Sequence, residues 1–368
     1  MPLHIAVDLV FFTGKKGGAE TYVRGVFPAL AAAHDDLRFV GIGNRELAAN
    51  PPDWFPGEIV PLPVSGENRV QWALAEAFAV AVKAKSIKAD LLHCPANFGP
   101  SVRLLPTLVS VLDVLPIKHP EWVPGGRAKA VQLLSRASAR AATRIHTISD
   151  ASADDIVALL GRSRSDIDMI HLGADQVEPG KRVERAGRPY VLTGGNRMPH
   201  KNHGRLLEAW ASIPAAERPR LVVTGSHGDD PLAPLVRDLG LEDDVDLHGW
   251  VTAEELADLY EGASAYVFPT LFEGFGLPVV EAMARGCPVV GSDIPVLREV
   301  GGDDMVYVDP YDTASIAAGV RKVVADPVLR EALSAAGLKR AAQFTWQRTA
   351  DAHAEVYRKM VAQKTGTR

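Results

Sequence analysis

Hydrophobic and polar positions follow a repeating alternation along the chain. Short apolar runs bounded by turn residues give way to longer stretches whose apolar positions recur at helical spacing. In the first half this pattern predicts strands at residues 4–10, 38–42, 91–93, 107–112, 144–148 and 168–171. Helices are predicted between them at 20–33, 70–85, 127–142 and 151–160. Near-continuous apolar strands alternating with helices are expected of parallel sheets covered on both faces. Residues 177–189, charged and rich in Pro and Gly, break the pattern and have the composition of a linker. The alternation then restarts, with strands predicted at 190–193, 220–224, 245–247, 265–268 and 288–290. The chain therefore reads as α/β, with two Rossmann-like domains at residues 1–178 and 188–346. Ligands of such sheets bind beyond the carboxyl ends of the strands, so the expected site is a central cleft that both parallel sheets face.

Composition narrows the class. At 368 residues there is room for two cores, and 47% hydrophobic with 23% charged residues is ordinary for a globular protein. A net charge of −5 gives no global reason to expect nucleic acid as a partner. Cys94 and Cys287 stand beside prolines in apolar surroundings and read as buried small hydrophobes, without metal spacing or a disulfide framework. The N-terminus enters a strand directly, and the most apolar helix, around 72–82, is too short to span a bilayer and carries Glu76. A cytoplasmic location is expected.

Residues 272–286 hold the densest chemistry. An apolar strand leads into a turn containing Gly274 and Gly276. Pro278 then suits the first turn of a helix, and Gly286 closes it. Such a turn aims backbone N–H groups outward at the positive end of a helix dipole, a place for phosphate or sugar hydroxyls. Glu273 at its lip and Glu281 in the helix flank those amides. This arrangement resembles the E-x7-E motif of retaining glycosyltransferases of family 4, which have the GT-B fold. The likeness continues through Ser292, Asp293, Leu297 to Val300 and Val306 to Pro310. It implies that the C-terminal helix, at 347–365 after Phe344 and Trp346, returns to the first domain. It also implies that Gly274, Phe275, Gly276 and Leu277 bind the donor, with Glu273 at the sugar and Glu281 at the ribose.

The same resemblance extends to other segments. Lys201, followed by Asn202, aligns with the family's phosphate-binding lysine. Where many members carry arginine this chain has Asn196, with Arg197 one residue later, so either Arg197 reaches the phosphate or one cation is lost. Gly17 and Gly18, followed by Ala19, Glu20 and Tyr22, resemble the loop that closes over the donor phosphate. The turn at His248 to Val251 corresponds to the one lying against the nucleobase, which puts Val251 among the donor contacts. On the acceptor side Asp113 is retained, while Leu112 stands where a histidine is usual. His93, Asn97 and His119 are the remaining acceptor-side candidates, each also readable as a hydrogen-bonded structural residue.

Two Asp-x-Asp triplets, Asp166/Asp168 and Asp244/Asp246, enter strands rather than leave them, and read as polar strand starts instead of metal ligands. Lys129, Arg136, Arg140 and Arg144 share about one third of a helical wheel. That basic face suits either solvent or peripheral contact with anionic lipid at the inner face of a membrane.

The functional expectation is transfer of a hexose or deoxyhexose from a nucleotide-diphosphate sugar, with GDP-mannose favoured. The acceptor class stays open among a glycan, a lipid-linked and a small-molecule acceptor. Catalysis is assigned to Glu273, Lys201 and Asp113, with no metal and no cofactor. The alternatives are a sugar-nucleotide epimerase of the same fold and a non-catalytic sugar-nucleotide-binding relative. An NAD(P) oxidoreductase is disfavoured because no G-x-G-x-x-G with a following acidic residue is present.

Overall fold

The computed structural model describes residues 2–14, 17–123, 128–174, 183 and 188–365, with backbone only at 69, 364 and 365. Lys15 and Lys16 of the glycine loop, Arg127 at the start of a predicted helix, and most of the predicted linker lie outside the described residues. The chain divides into two compact units, Met1–Gly173 with Thr345–Arg368, and Ala174–Phe344.

The first unit is built on seven parallel strands: β1 (Leu3–Leu9), β2 (Leu37–Gly43), β3 (Gly57–Pro61), β4 (Leu91–Cys94), β5 (Thr107–Ser110), β6 (Arg144–Thr147) and β7 (Ile167–Met169). Their order is β3-β2-β1-β4-β5-β6-β7. The second unit has six: β8 (Tyr190–Thr193), β9 (Arg220–Val223), β10 (Val245–Leu247), β11 (Ala265–Phe268), β12 (Val289–Ser292) and β13 (Val306–Val308), in the order β10-β9-β8-β11-β12-β13. Each sheet reverses direction of winding once, at β1/β4 and at β8/β11. Those reversals are where loops part at the carboxyl ends of the strands and leave a ligand crevice. The core strands β4, β5, β6, β11 and β12 are buried at every position, as a central parallel strand requires.

Two strands escaped the sequence pattern. β3 has a half-exposed edge and ends on a proline, and β13 at the far edge is three residues long. The predicted helix at 70–85 is three pieces, Arg69–Leu74, a single π-turn at Ala75–Ala79, and Val80–Ser86. The π-turn presents the carbonyl of Ala77 to the Ser101 amide at 2.9 Å. Arg144 is a further correction. The helix ends at Ala141, and Arg144 opens β6, buried and hydrogen-bonded through its fork to Asp168 and the Ser165 carbonyl. The exposed basic face therefore reduces to Lys129, Arg136 and Arg140.

The returning helix Trp346–Thr365 completes the first unit by packing on the helix Gly17–Ala33. A Cβ at Gly25 would stand 2.1 Å from the Trp346 ring, so glycine is required for this approach. Beneath the contact lies a buried polar cluster of Tyr22, His93, Ser110, His146, His353 and Tyr357. Its bonds fix one proton arrangement. His353 Nδ1 donates to the Thr349 carbonyl, so Nε2 accepts from Tyr22 at 2.6 Å. His146 Nε2 donates to the Ile170 carbonyl, its Nδ1 accepts from Ser110, Ser110 accepts from His93 Nε2, and His93 Nδ1 accepts from Tyr357. Every ring nitrogen is satisfied with all three histidines neutral. His93 is thus wholly buried and engaged with the returning helix, which removes it from the acceptor-side candidates.

Burial depresses the basicity of all three rings, and brings His353 down to about 4. A histidine held neutral in the fold contributes fully above its unfolded value near 6.5, and that contribution is lost as pH falls towards the folded value. For His353 the loss amounts to something on the order of 3 kcal/mol. Asp8, buried and pushed up to about 7 by desolvation, acts in the opposite sense over an overlapping range. Comparing urea midpoints at pH 7 and pH 5 for wild type and His353→Gln isolates the histidine effect. The wild type is expected to lose more stability on acidification than the variant, and equal losses would contradict the neutral-histidine arrangement.

Candidate active site

The loops leaving β8 and β11 meet at the reversal point of the second sheet, and backbone bonds stitch them together. The His200 carbonyl accepts from the Leu271 amide at 2.7 Å, and the Thr270 hydroxyl, 3.0 Å away, shares its one proton between this carbonyl and Glu273. Asn202, held in the left-handed region at φ 60°, donates to the carbonyls of Pro269 and Pro310. This stitching brings Lys201 to Glu273: Nζ and Oε1 lie 2.6 Å apart, each side chain only 13% exposed. Thr270 reaches the same carboxylate oxygen at 3.0 Å, and the Lys201 ammonium sits 5.0 Å above the Phe268 ring. The sequence names both charged residues yet gives no sign that they pair, since 72 positions separate them.

Beyond Glu273 the chain enters the helix Leu277–Ala284 through Gly276, whose φ is 94°. Side chains rarely adopt that conformation, and a Cβ there would also lie 2.6 Å from Leu297. The Phe275 side chain is buried edge-on against Phe344, which anchors the turn while leaving its backbone at the helix start. Gly274 and Leu277 are half-exposed on either side. Glu281 lies one turn further along. Part of it is open to solvent, but its carboxyl packs deeply enough that desolvation pushes its pKa up to about 7.

Arg197 has a different task from the one expected of it. Its fork binds Asp230, with Nη2 to Oδ2 at 2.6 Å, and donates to the carbonyls of Gly195 and Thr224. Both side chains are more than nine-tenths buried. Arg197 thus clamps the turns after β8 and β9 together, with four of its five N–H groups engaged within the protein, so the reading in which it reaches the phosphate is set aside. Although burial opposes it, the Arg197 bond holds Asp230 below the usual carboxylate range. Asn196 is exposed and accepts from the Met198 amide. His203 reports the local field: burial first, then the charges of Arg197 and Lys201, lower its pKa to about 3. The turn after β10 joins the group, with the Gly249 carbonyl accepting from Gly225, Trp250 stacked on His227, and Val251 half-buried beyond them.

In the first unit, Gly17 and Gly18 open a helix and are exposed, with no described atom within 4 Å of a Cβ built on either. Internal packing among the described residues therefore does not account for these glycines. The loop before them is held by Glu20, missed by the sequence reading despite lying within its glycine motif. Its buried carboxylate accepts from the amides of Thr13 at 2.8 Å and Gly14 at 3.0 Å. Asn97, in the left-handed region, accepts the Leu112 amide at 2.6 Å and so braces the end of β5. Leu112 is buried, and Asp113 beside it accepts from the Leu115 amide. His119 is half-buried, paired with Glu121 and stacked on Trp122.

The Asp-x-Asp carboxylates are all engaged with cations. Asp166 pairs with Arg162 and Asp168 with Arg144. Asp244 pairs with Arg188 and Arg218, and Asp246 with Arg220 and His248. Both cysteines are buried and unbridged.

Residues 17–173 match the glycosyl transferase 4-like domain, and residues 175–340 match the glycosyl transferases group 1 family. The O-antigen chain mannosyltransferase B of Escherichia coli is 32% identical over 272 residues, covering 70% of this chain and 71% of that protein. The MMP alpha-(1->4)-mannosyltransferase of Mycolicibacterium hassiacum is 32% identical over 229 residues, covering 61% of this chain and 56% of that one. In fold, the sucrose-phosphate synthase of Thermosynechococcus elongatus superposes with a TM-score of 0.79 at 21% identity, over 98% of this chain and all of that one. With its two parallel-sheet units, its returning C-terminal helix and matches across both halves, this chain belongs to the family 4 glycosyltransferases of GT-B fold.

Proposed function

We propose that the chain transfers a hexose, with retention, from a nucleotide-diphosphate sugar to a hydroxyl of a glycan, lipid-linked or small-molecule acceptor, and that the donor is GDP-mannose. The observation that carries this reading is the Lys201–Glu273 pair beside the helix start at Gly276. An ammonium and a helix N-terminus favour the diphosphate, and the adjoining carboxylate accepts from sugar hydroxyls. The mannosyl preference draws on the mannosyltransferases among its relatives.

In the proposed reaction the C1–O bond to the diphosphate breaks and a new C1–O bond forms to the acceptor oxygen. The acceptor proton passes to the departing phosphate, on the same face of the sugar. Negative charge growing on the leaving group is met by Lys201 and the amides at the start of the helix Leu277–Ala284. A diphosphate leaves as a stable anion, so no general acid is needed. Glu273 orients the sugar, Glu281 the ribose, and Asp113 the acceptor hydroxyl. Metal-independent transfer fits the salt-bridged state of the Asp-x-Asp carboxylates. The direct test is a thermal-shift panel of nucleoside diphosphates, followed by transfer assays with and without EDTA. A ligand at about 100 times its Kd stabilises by roughly 2.7 kcal/mol. Indifference to every guanosine, uridine and adenosine diphosphate would overturn the reading.

Lys201→Ala is expected to remove about 2 to 4 kcal/mol of transition-state stabilisation, a fall in kcat/KM of roughly 30- to 1000-fold, while the variant still folds. Because Lys201 and Glu273 hold each other, losses in Lys201→Ala, Glu273→Gln and the double variant should be strongly non-additive. Additive losses would show that the pair does not work as a unit.

For Glu281 the expected signature is pH dependence. Ribose hydroxyls donate to the ionised carboxylate and lower its pKa from about 7 on binding, so affinity rises as pH increases from 6 to 8. The phosphate's own titration, near pH 6, affects wild type and Glu281→Gln alike. The difference between their profiles, measured by calorimetry with ribo- and 2′-deoxyribonucleoside diphosphates, therefore isolates the carboxylate. Parallel profiles would place Glu281 away from the ribose.

A further inference from the structure

One large cavity of the first unit has a chemistry that sugar binding does not require. It encloses about 850 Å³, and fourteen of its eighteen lining residues are apolar, among them Trp72, Phe98, Ile117 and Leu134. Its polar members include Asn97 and Asp113, which tie it to the end of β5. Sugar subsites are rich in hydrogen-bonding groups, whereas this lining suits a long hydrocarbon.

The wall of this groove continues onto an apolar surface. Val70 and Leu74 line the groove and are also 68% and 57% exposed. Phe78 and Val82, spaced by further turns of the same helical stretch, are 56% and 58% exposed. The Ser101 bond to the π-turn carbonyl holds the next loop alongside, adding exposed Val102 and Leu104. Isolated exposed apolar residues are unremarkable, but a stripe of this kind is a binding surface. Its charge is one-sided. Between residues 69 and 88 the single acidic residue, Glu76, is buried and accepts from Trp72 Nε1, while Lys85 and Lys88 are exposed and Lys83 partly so. An apolar stripe edged by lysines, without an exposed carboxylate, is complementary to an anionic bilayer surface.

We infer that the helical stretch 69–88 docks on an anionic lipid surface, and that the adjoining groove receives the aliphatic chain of a membrane-borne acceptor. The acceptor is then an amphiphile whose hydroxylated head reaches Asp113 while its tail lies along Trp72 and Leu134. This inference rests on the reading of the Asp113 side as the acceptor side.

Two measurements on the full chain test it. Flotation with vesicles of phosphatidylcholine, alone and with phosphatidylglycerol added, should show association that needs the anionic lipid. Leu74→Asp combined with Phe78→Asp, both at exposed positions, should lower partitioning at least tenfold at unchanged Tm. No flotation, or flotation unaffected by these changes, overturns the lipid surface. So does a dimer that the same changes dissociate, because a second copy would then cover the stripe. The groove is probed with hexyl and octyl glucosides below their micellar concentrations. Each methylene buried should raise affinity about fourfold, so the pair should differ by roughly tenfold or more in wild type and little in Leu134→Asn. Affinity independent of chain length, or equal dependence in the variant, overturns the groove assignment. GDP thermal shifts on the same samples report separately on the donor site. Their absence would count against the proposed reaction while leaving the lipid results to stand or fall alone.

Discussion

The geometry of the second unit hangs on one contact: the Lys201 ammonium against the Glu273 carboxylate at the parting of β8 and β11. Two charges nearly removed from water are stable only when each answers the other and the remaining lone pairs are filled. The Thr270 hydroxyl lies within hydrogen-bond reach of the carboxylate, and the stitching of His200 and Asn202 to the β11 turn fixes the two backbones from which the charges project. Neither residue can be placed without the other, so the phosphate and sugar ends of the proposed donor site are set by a single arrangement. Arg197 and Asp230 brace it from behind by joining the turns after β8 and β9.

This division of labour among cations was only partly visible in the chain. Lys201 and Glu273 stand out locally, one in a Pro-x-Lys-Asn turn and the other at the lip of a glycine turn, and the fold brings them into contact. Arg197 looks equally available in sequence, but its partner Asp230 lies 33 positions away in a stretch with no motif, and nothing local announces that the guanidinium is spoken for. His93 failed for a similar reason. Its place on a strand was legible, but the partners that bury it come from residues 22, 353 and 357, at the two ends of the chain. Asn97 and Asp113 were rightly placed at the carboxyl ends of β4 and β5, because parallel strands declare their direction.

Periodicity misled in two further places. Extending a helical wheel through residue 144 added an arginine that belongs to β6, since a wheel carries no information about where a helix stops. Conversely, the stretch 69–88 was read by its average hydropathy, in which Glu76 counts as an interruption. In the fold that carboxylate faces inward, and the outward side is apolar and cationic. The stripe itself keeps a four-residue spacing, Val70, Leu74, Phe78 and Val82, but spacing alone does not tell an apolar face that is covered from one that is exposed. β3 was missed because its half-exposed residues break the apolar run and it ends on a proline, and β13 because three residues are too short a run to mark a strand.

The buried histidine–tyrosine cluster has a consequence for how the chain acquires its structure. Three of its members, at residues 22, 93 and 146, are made early, but His353 and Tyr357 belong to the final helix. During synthesis the first unit emerges with Tyr22 and His93 lacking the partners that will satisfy them, and with Gly25 facing no indole. The second unit, by contrast, is contiguous from Ala174 to Phe344 and can close on itself. The bonds from Tyr22 to His353 and from His93 to Tyr357 span 331 and 264 residues, so they form only after the whole second unit has been made. The unit made first is therefore the one finished second, and its interior depends on the C-terminal helix to seal it.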